Sequence, residues 1–74
     1  MDAERQRKMQ YAQELIDKLP DTITSPVNIN KAKNKPGEFW SVVLWNTRND
    51  LTYLNTMITN LEKMVSTYEQ ENSI

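Results

Sequence analysis

This 74-residue sequence predicts an all-α fold: a short helix and a long one in a helical hairpin, joined by a long connector rich in proline and lysine and assembling through the long helix. Three observations carry that reading. From Trp40 to Tyr68 apolar side chains recur at alternating steps of four and three, the repeat of a single helix face. A shorter run with the same spacing precedes Pro20. All three prolines and the only glycine fall between the two runs, where helix-breaking residues mark a connection.

The first helix is expected over residues 2–19, with Asp2 as its N-cap and Pro20 as its stop, because the residue before a proline is pushed out of the helical region. Met9, Ala12, Ile16 and Leu19 define its inner face, flanked by Tyr11 and Leu15. Its first two turns are polar and are expected to fray.

The connector, residues 20–37, is far longer than the usual link of about two to eight residues between packed helices. Ile23, Val27 and Ile29 can face one way in an extended chain, and Ser25-Pro26 signals a turn or a helix start. A loop that lays these aliphatics over the helices is expected. The alternative is a short strand pairing with another copy or a partner, since a lone strand leaves its backbone groups unpaired.

The second helix is expected over residues 38–70, with 71–74 as a tail. Its stripe runs through Trp40, Leu44, Thr47, Leu51, Leu54, Ile58, Leu61, Val65 and Tyr68, and Met57 and Met64 widen it. The stretch "NTRND", 46–50, is poor in helix formers, and Thr47 with Asp50 matches a capping box that would start a new helix. Because the stripe keeps its phase there, one continuous helix is expected, with a bend near 46–50 as the alternative.

At 1.5 Å per residue the first helix would span about 27 Å and the second about 50 Å. Much of the long stripe would then lie bare in a single chain, which soluble proteins seldom tolerate. Self-association, most simply as a dimer, is therefore expected through Leu54, Met57, Ile58, Leu61, Met64, Val65 and Tyr68. The chain holds no cysteine, so association is the staple left to a domain of this size.

Composition excludes much chemistry. With neither cysteine nor histidine, disulfides, Cys/His zinc sites and the commonest acid–base side chain are absent. No histidine can activate a serine or threonine hydroxyl. Glu14, Asp17, Glu62 and Glu69 read as solvated carboxylates, and neither a calcium loop nor a glycine-rich phosphate loop is present. No enzyme activity, metal or cofactor is expected. A net charge of −1 opposes duplex DNA binding, whose affinity is dominated by phosphate contacts. The most apolar stretch, "FWSVVLW", falls far short of the roughly 20 residues of a membrane span. The charged N-terminus "MDAERQRKMQ" does not read as a signal peptide, so a cytoplasmic location is expected. Eight asparagines and seven threonines against three alanines fit an AT-rich genome such as a phage's.

Both tryptophans and the only phenylalanine lie in "GEFWSVVLW", residues 37–45. Trp40, Val43 and Leu44 are expected to pack on the first helix. Phe39, Val42 and Trp45 point elsewhere and need the lysine-bearing connector, a sister subunit or a ligand to cover them; with Arg48 and Tyr53 they are the candidate partner-binding residues, Trp, Tyr and Arg being the types that dominate binding hot spots. Lys31, Lys33 and Lys35 beside these aromatics suggest an anion site. The function expected is a small homo-oligomeric interaction module, of inhibitor or adaptor type, that binds a host or cognate protein. One alternative is an oligomer holding a nucleotide-like anion in pockets between subunits; another is a structural coiled-coil assembly unit.

Overall fold

Three interruptions divide the chain: the segment after Pro20, Pro36, and the stretch 47–51. The computed structural model describes residues 3–23 and 27–72. Among them it forms four helices, α1 (Ala3–Asp17), α2 (Ile29–Asn34), α3 (Pro36–Asn46) and α4 (Thr52–Glu71), and no strand. The cap expected at Asp2, the Ser25-Pro26 signal and the end of the tail at 73–74 lie outside the described residues.

The first turn of α1, expected to fray, is helical from Ala3, and the Arg5 guanidinium donates to the Thr47 carbonyl. At its other end the Lys18 and Leu19 amides fold back onto the Leu15 and Ile16 carbonyls, both at 3.1 Å, the tightened turn common before a helix stops. The Lys33 ammonium takes the Leu19 carbonyl, one of the acceptors a helix end leaves over.

The connector contains a helix that the sequence reading placed in a loop. Asn28 Oδ1 accepts the Lys31 amide at 2.9 Å, satisfying a donor at the start of α2. The Ile29 amide closes the preceding loop on the Ile23 carbonyl at 3.1 Å. Val27, Ile29 and Ala32 are buried and Ile23 is half-buried. Pro36 then ends α2 by holding Lys35 out of the helical region, at φ −133° and ψ 59°. The same proline opens α3 at its first position, where its missing N–H costs nothing.

The continuous helix expected over 38–70 is two helices. Thr47 is fully buried, and its hydroxyl donates back to the Val43 carbonyl at 2.9 Å. Its amide also bonds the Val43 and Leu44 carbonyls, so Thr47 closes α3 instead of opening α4, and the capping box does not form. Asp50 Oδ1 accepts the Thr52 amide at 2.8 Å and so starts α4.

The bend resets the phase. On α3 the buried positions are Phe39, Val43 and Thr47, one turn apart, while Trp40 is half-buried and Leu44 is exposed. Leu44, expected in the core, and Phe39, expected outside it, exchange places. On α4 the predicted stripe holds: Leu54, Met57, Ile58, Leu61 and Val65 are buried, and Met64 and Tyr68 pack at its edge.

The bend also reduces the length mismatch. With 20 residues α4 spans about 30 Å, against about 22 Å for the 15 residues of α1. Arg5 reaches Thr47 just before α4, and the Tyr11 hydroxyl meets Glu62 Oε2 at 2.6 Å. The short helix thus lies along the long one in the same direction, with α2 and α3 forming the return. Ala12, Leu15, Ile16 and Leu19 join the α4 stripe and the connector aliphatics in one core. Of the residues expected to mediate self-association, Leu54, Met57, Ile58, Leu61 and Val65 are therefore core residues of a single chain, and Met64 and Tyr68 are half-buried at its edge. Each such aliphatic side chain contributes about 1.5–3 kcal/mol by leaving water, so presenting them to another copy would mean opening the fold.

Candidate functional site

α2 packs on α1 and α3 but stands off α4, and a groove of about 280 Å³ opens in the gap. Its floor is apolar: Val27 from the connector, Phe39 and Val43 from α3, and Met57 from α4, all buried. Val42 and Tyr53 form its walls, and Asn28, Lys31, Thr56 and Asn60 its polar rim. The α2 cap places Asn28 and Lys31 together at that rim.

Large apolar side chains stand out of the surface beside the groove. Trp45 is 65% exposed, Val42 48% and Tyr53 44%. Trp45 lies three positions past Val42 on α3, so the two are neighbours on one face. The Arg48 guanidinium carbon sits 3.8 Å from the centroid of the Trp45 ring, and Arg48 Nη1 donates to the Trp45 carbonyl at 3.0 Å. That stacking holds the indole outward over the end of α3.

Charge is scarce around the groove. Neither Phe39–Thr47 nor Thr52–Leu61 contains a charged residue; the outer side of α4 there is threonine and asparagine. Charges gather instead on α1, on the second half of α4 and in the stretch 31–38, whose Lys31 reaches the groove rim. Depletion of charge is the compositional mark of the centre of a protein interface.

Of the expected partner-binding residues, the structure brings Phe39, Val42 and Tyr53 together at the groove and pairs Trp45 with Arg48 just beyond it. Phe39 is a correction in kind. It is floor, not exposed contact, and it meets Trp40 edge-on at 5.1 Å between centroids. Trp40 is tied down as well, its indole N–H donating to Gln13 Oε1 at 2.8 Å, which fastens α3 to α1.

The three lysines do not converge. Lys31 is at the groove rim, 3.2 Å from Glu38; Lys33 is committed to the Leu19 carbonyl; Lys35 is exposed at the α2–α3 joint. Sequence reasoning missed Val27, Asn28, Met57 and Asn60 as groove residues. The signal for Asn28 was present, an asparagine immediately before Ile29 and Ala32 at helical spacing.

Two groups have displaced titrations, and neither lines the groove. Donating to Glu62 holds the Tyr11 phenol above its ordinary value, with desolvation and the Glu62 and Glu14 charges adding to the effect. The Thr52 amide holds the Asp50 carboxyl below its ordinary value. Among the described residues no group of carboxylates is placed to hold a metal ion, and no helix is long and apolar enough to cross a membrane. No family model matches the chain, and no curated protein or solved structure matches it at a significant level.

Proposed function

We propose that this chain is a non-catalytic protein-interaction module, an inhibitor or adaptor working in the cytosol. It receives an apolar segment of another protein in the groove between α2, α3 and α4. Val42, Trp45, Arg48 and Tyr53 are its main contacts. The observation that carries the reading is the juxtaposition of an apolar groove with a large, outward-held indole, where the stretches 39–47 and 52–61 carry no charged residue. Few exposed side chains gain more from burial than tryptophan and tyrosine, and an arginine stacked on the indole is preorganised for contact. At about 280 Å³ the groove is at the small end for a ligand pocket, and the separated lysines fit a nucleotide-like anion less well than a protein segment.

The test is affinity capture from cells of the native source, with mass spectrometry identifying what is retained. Trp45→Ala is expected to keep the helical circular dichroism of the parent and to lower capture of the principal partner at least tenfold, since loss of a hot spot costs about 2 kcal/mol or more. Equal capture by parent and variant would overturn the reading.

A further inference from the structure

The outer stripe of α3 is complementary to itself. Glu38, Ser41, Val42 and Trp45 are all exposed, and Ser41 and Val42 each lie three or four positions from both Glu38 and Trp45, so the four share one broad face. Arg48 joins the end of that face by stacking on Trp45. The stripe is thus acidic at its start, apolar in its middle and basic at its end. Its residues are also placed symmetrically about Val43: Glu38 and Arg48 are equally far to either side, and so are Ser41 and Trp45. Laid antiparallel on a copy of itself, the stripe sets each carboxylate against a guanidinium and each indole over the space a serine leaves. A parallel pairing would bring like charges together.

We propose that the occupant of this face in the free protein is a second copy of the chain, packed through α3 about a two-fold axis near Val43. This rests on the reading of the same face as a protein-binding surface, and it makes self-association and partner capture compete. Charge complementarity argues for a copy in particular. The Glu38 side chain stays 60% exposed although Lys31 meets one of its oxygens. Arg48 gives one N–H to the Trp45 carbonyl, and its planar fork has further donors for a carboxylate. With a net charge of −1 two copies repel little. The contact is isologous, so it closes at two chains. With 11 residues α3 is about 16 Å long, too short for a standard interface of about 800 Å² per partner. Association is therefore weak, with a Kd on the order of 100 μM, and dilution frees the face for another protein.

Sedimentation equilibrium on the whole chain from about 10 μM to about 1 mM tests this. The mass should rise from 8.7 kDa toward twice that value. Glu38→Lys and Arg48→Glu should each weaken association about tenfold or more, because each reversal creates two like-charge contacts across the axis. An equimolar mixture of the two variants should associate like the parent, since opposite charges then meet at both ends. Arg48→Glu leaves the Lys31–Glu38 pair intact, so it separates loss of the contact from any effect on α2. A mass of 8.7 kDa at about 1 mM, or a dimer indifferent to both reversals, overturns the proposal. Partner capture at about 1 μM, where the chain is monomeric, is read independently: capture without a dimer sinks the dimer alone, and a dimer without capture sinks the functional reading alone.

Discussion

Thr47 and Trp45, two residues apart, divide the aromatic segment between structure and surface. Thr47 is the only polar side chain among the buried residues described, and its hydroxyl spends itself on the Val43 carbonyl inside its own helix. Thr47→Val keeps the shape and removes that bond. The Val43 carbonyl still receives the Thr47 amide at 3.0 Å, so the expected loss is the net worth of one hydrogen bond, about 1 kcal/mol. For a domain of this size that is a fall in Tm of about 4–8 °C, measurable by thermal circular dichroism. An unchanged Tm would show that the hydroxyl is not what ends α3. Trp45 is the opposite case: at 65% exposure it adds little to the core. At this scale the sequence was informative for Trp45, Val42 and Tyr53, which lie off any single inner stripe, and misleading for Phe39 and Leu44. Those two were misassigned because their faces were read from a helix phase that the chain resets at Thr47.

At the scale of elements, α1 and the stripe of α4 were legible because periodic apolar spacing reports directly on burial. The break between α3 and α4 was legible only as a weakness. The stretch 46–50 is poor in helix formers, yet the stripe crosses it in phase. Tertiary contacts decide the matter: Thr47 is buried, and Arg5 from α1 claims its carbonyl. No local pattern announces an arginine more than forty residues away. Asp50 then starts α4 through the Thr52 amide, and that bond depresses its pKa. A carboxyl whose folded pKa lies below its usual value of 3.8 stabilises the fold above that value, and the contribution is lost as pH falls through the folded pKa. The Tm gap between the parent and Asp50→Ala should therefore be full near pH 7 and close as the pH drops below the usual carboxylate value. A gap that persists undiminished in acid would mean that Asp50 acts through something other than its charge.

For the whole molecule the decisive change is where the long stripe goes. Read as one rod of about 50 Å, the second half of the chain needed another copy to cover Leu54 through Tyr68; folded as α3 and α4, it is covered from within by α1 and the connector. Folding is thereby separated from association: the core closes in one chain, and Val42 and Trp45 of α3 stay exposed outside it. The separation has a thermodynamic signature. If folding required a dimer, each tenfold dilution would lower stability by about 1.4 kcal/mol, and Tm would fall by about 6–11 °C at 4–8 °C per kcal/mol. A chain whose core is complete should instead keep its Tm within about 1 °C between roughly 2 and 20 μM, a range in which a Kd on the order of 100 μM leaves most of the chain monomeric. Differential scanning fluorimetry over that range makes the comparison directly. A steep dependence on concentration would return the α4 stripe to an interface and would mean that the apolar face of this protein is spent on its own assembly, with α3 playing the smaller part.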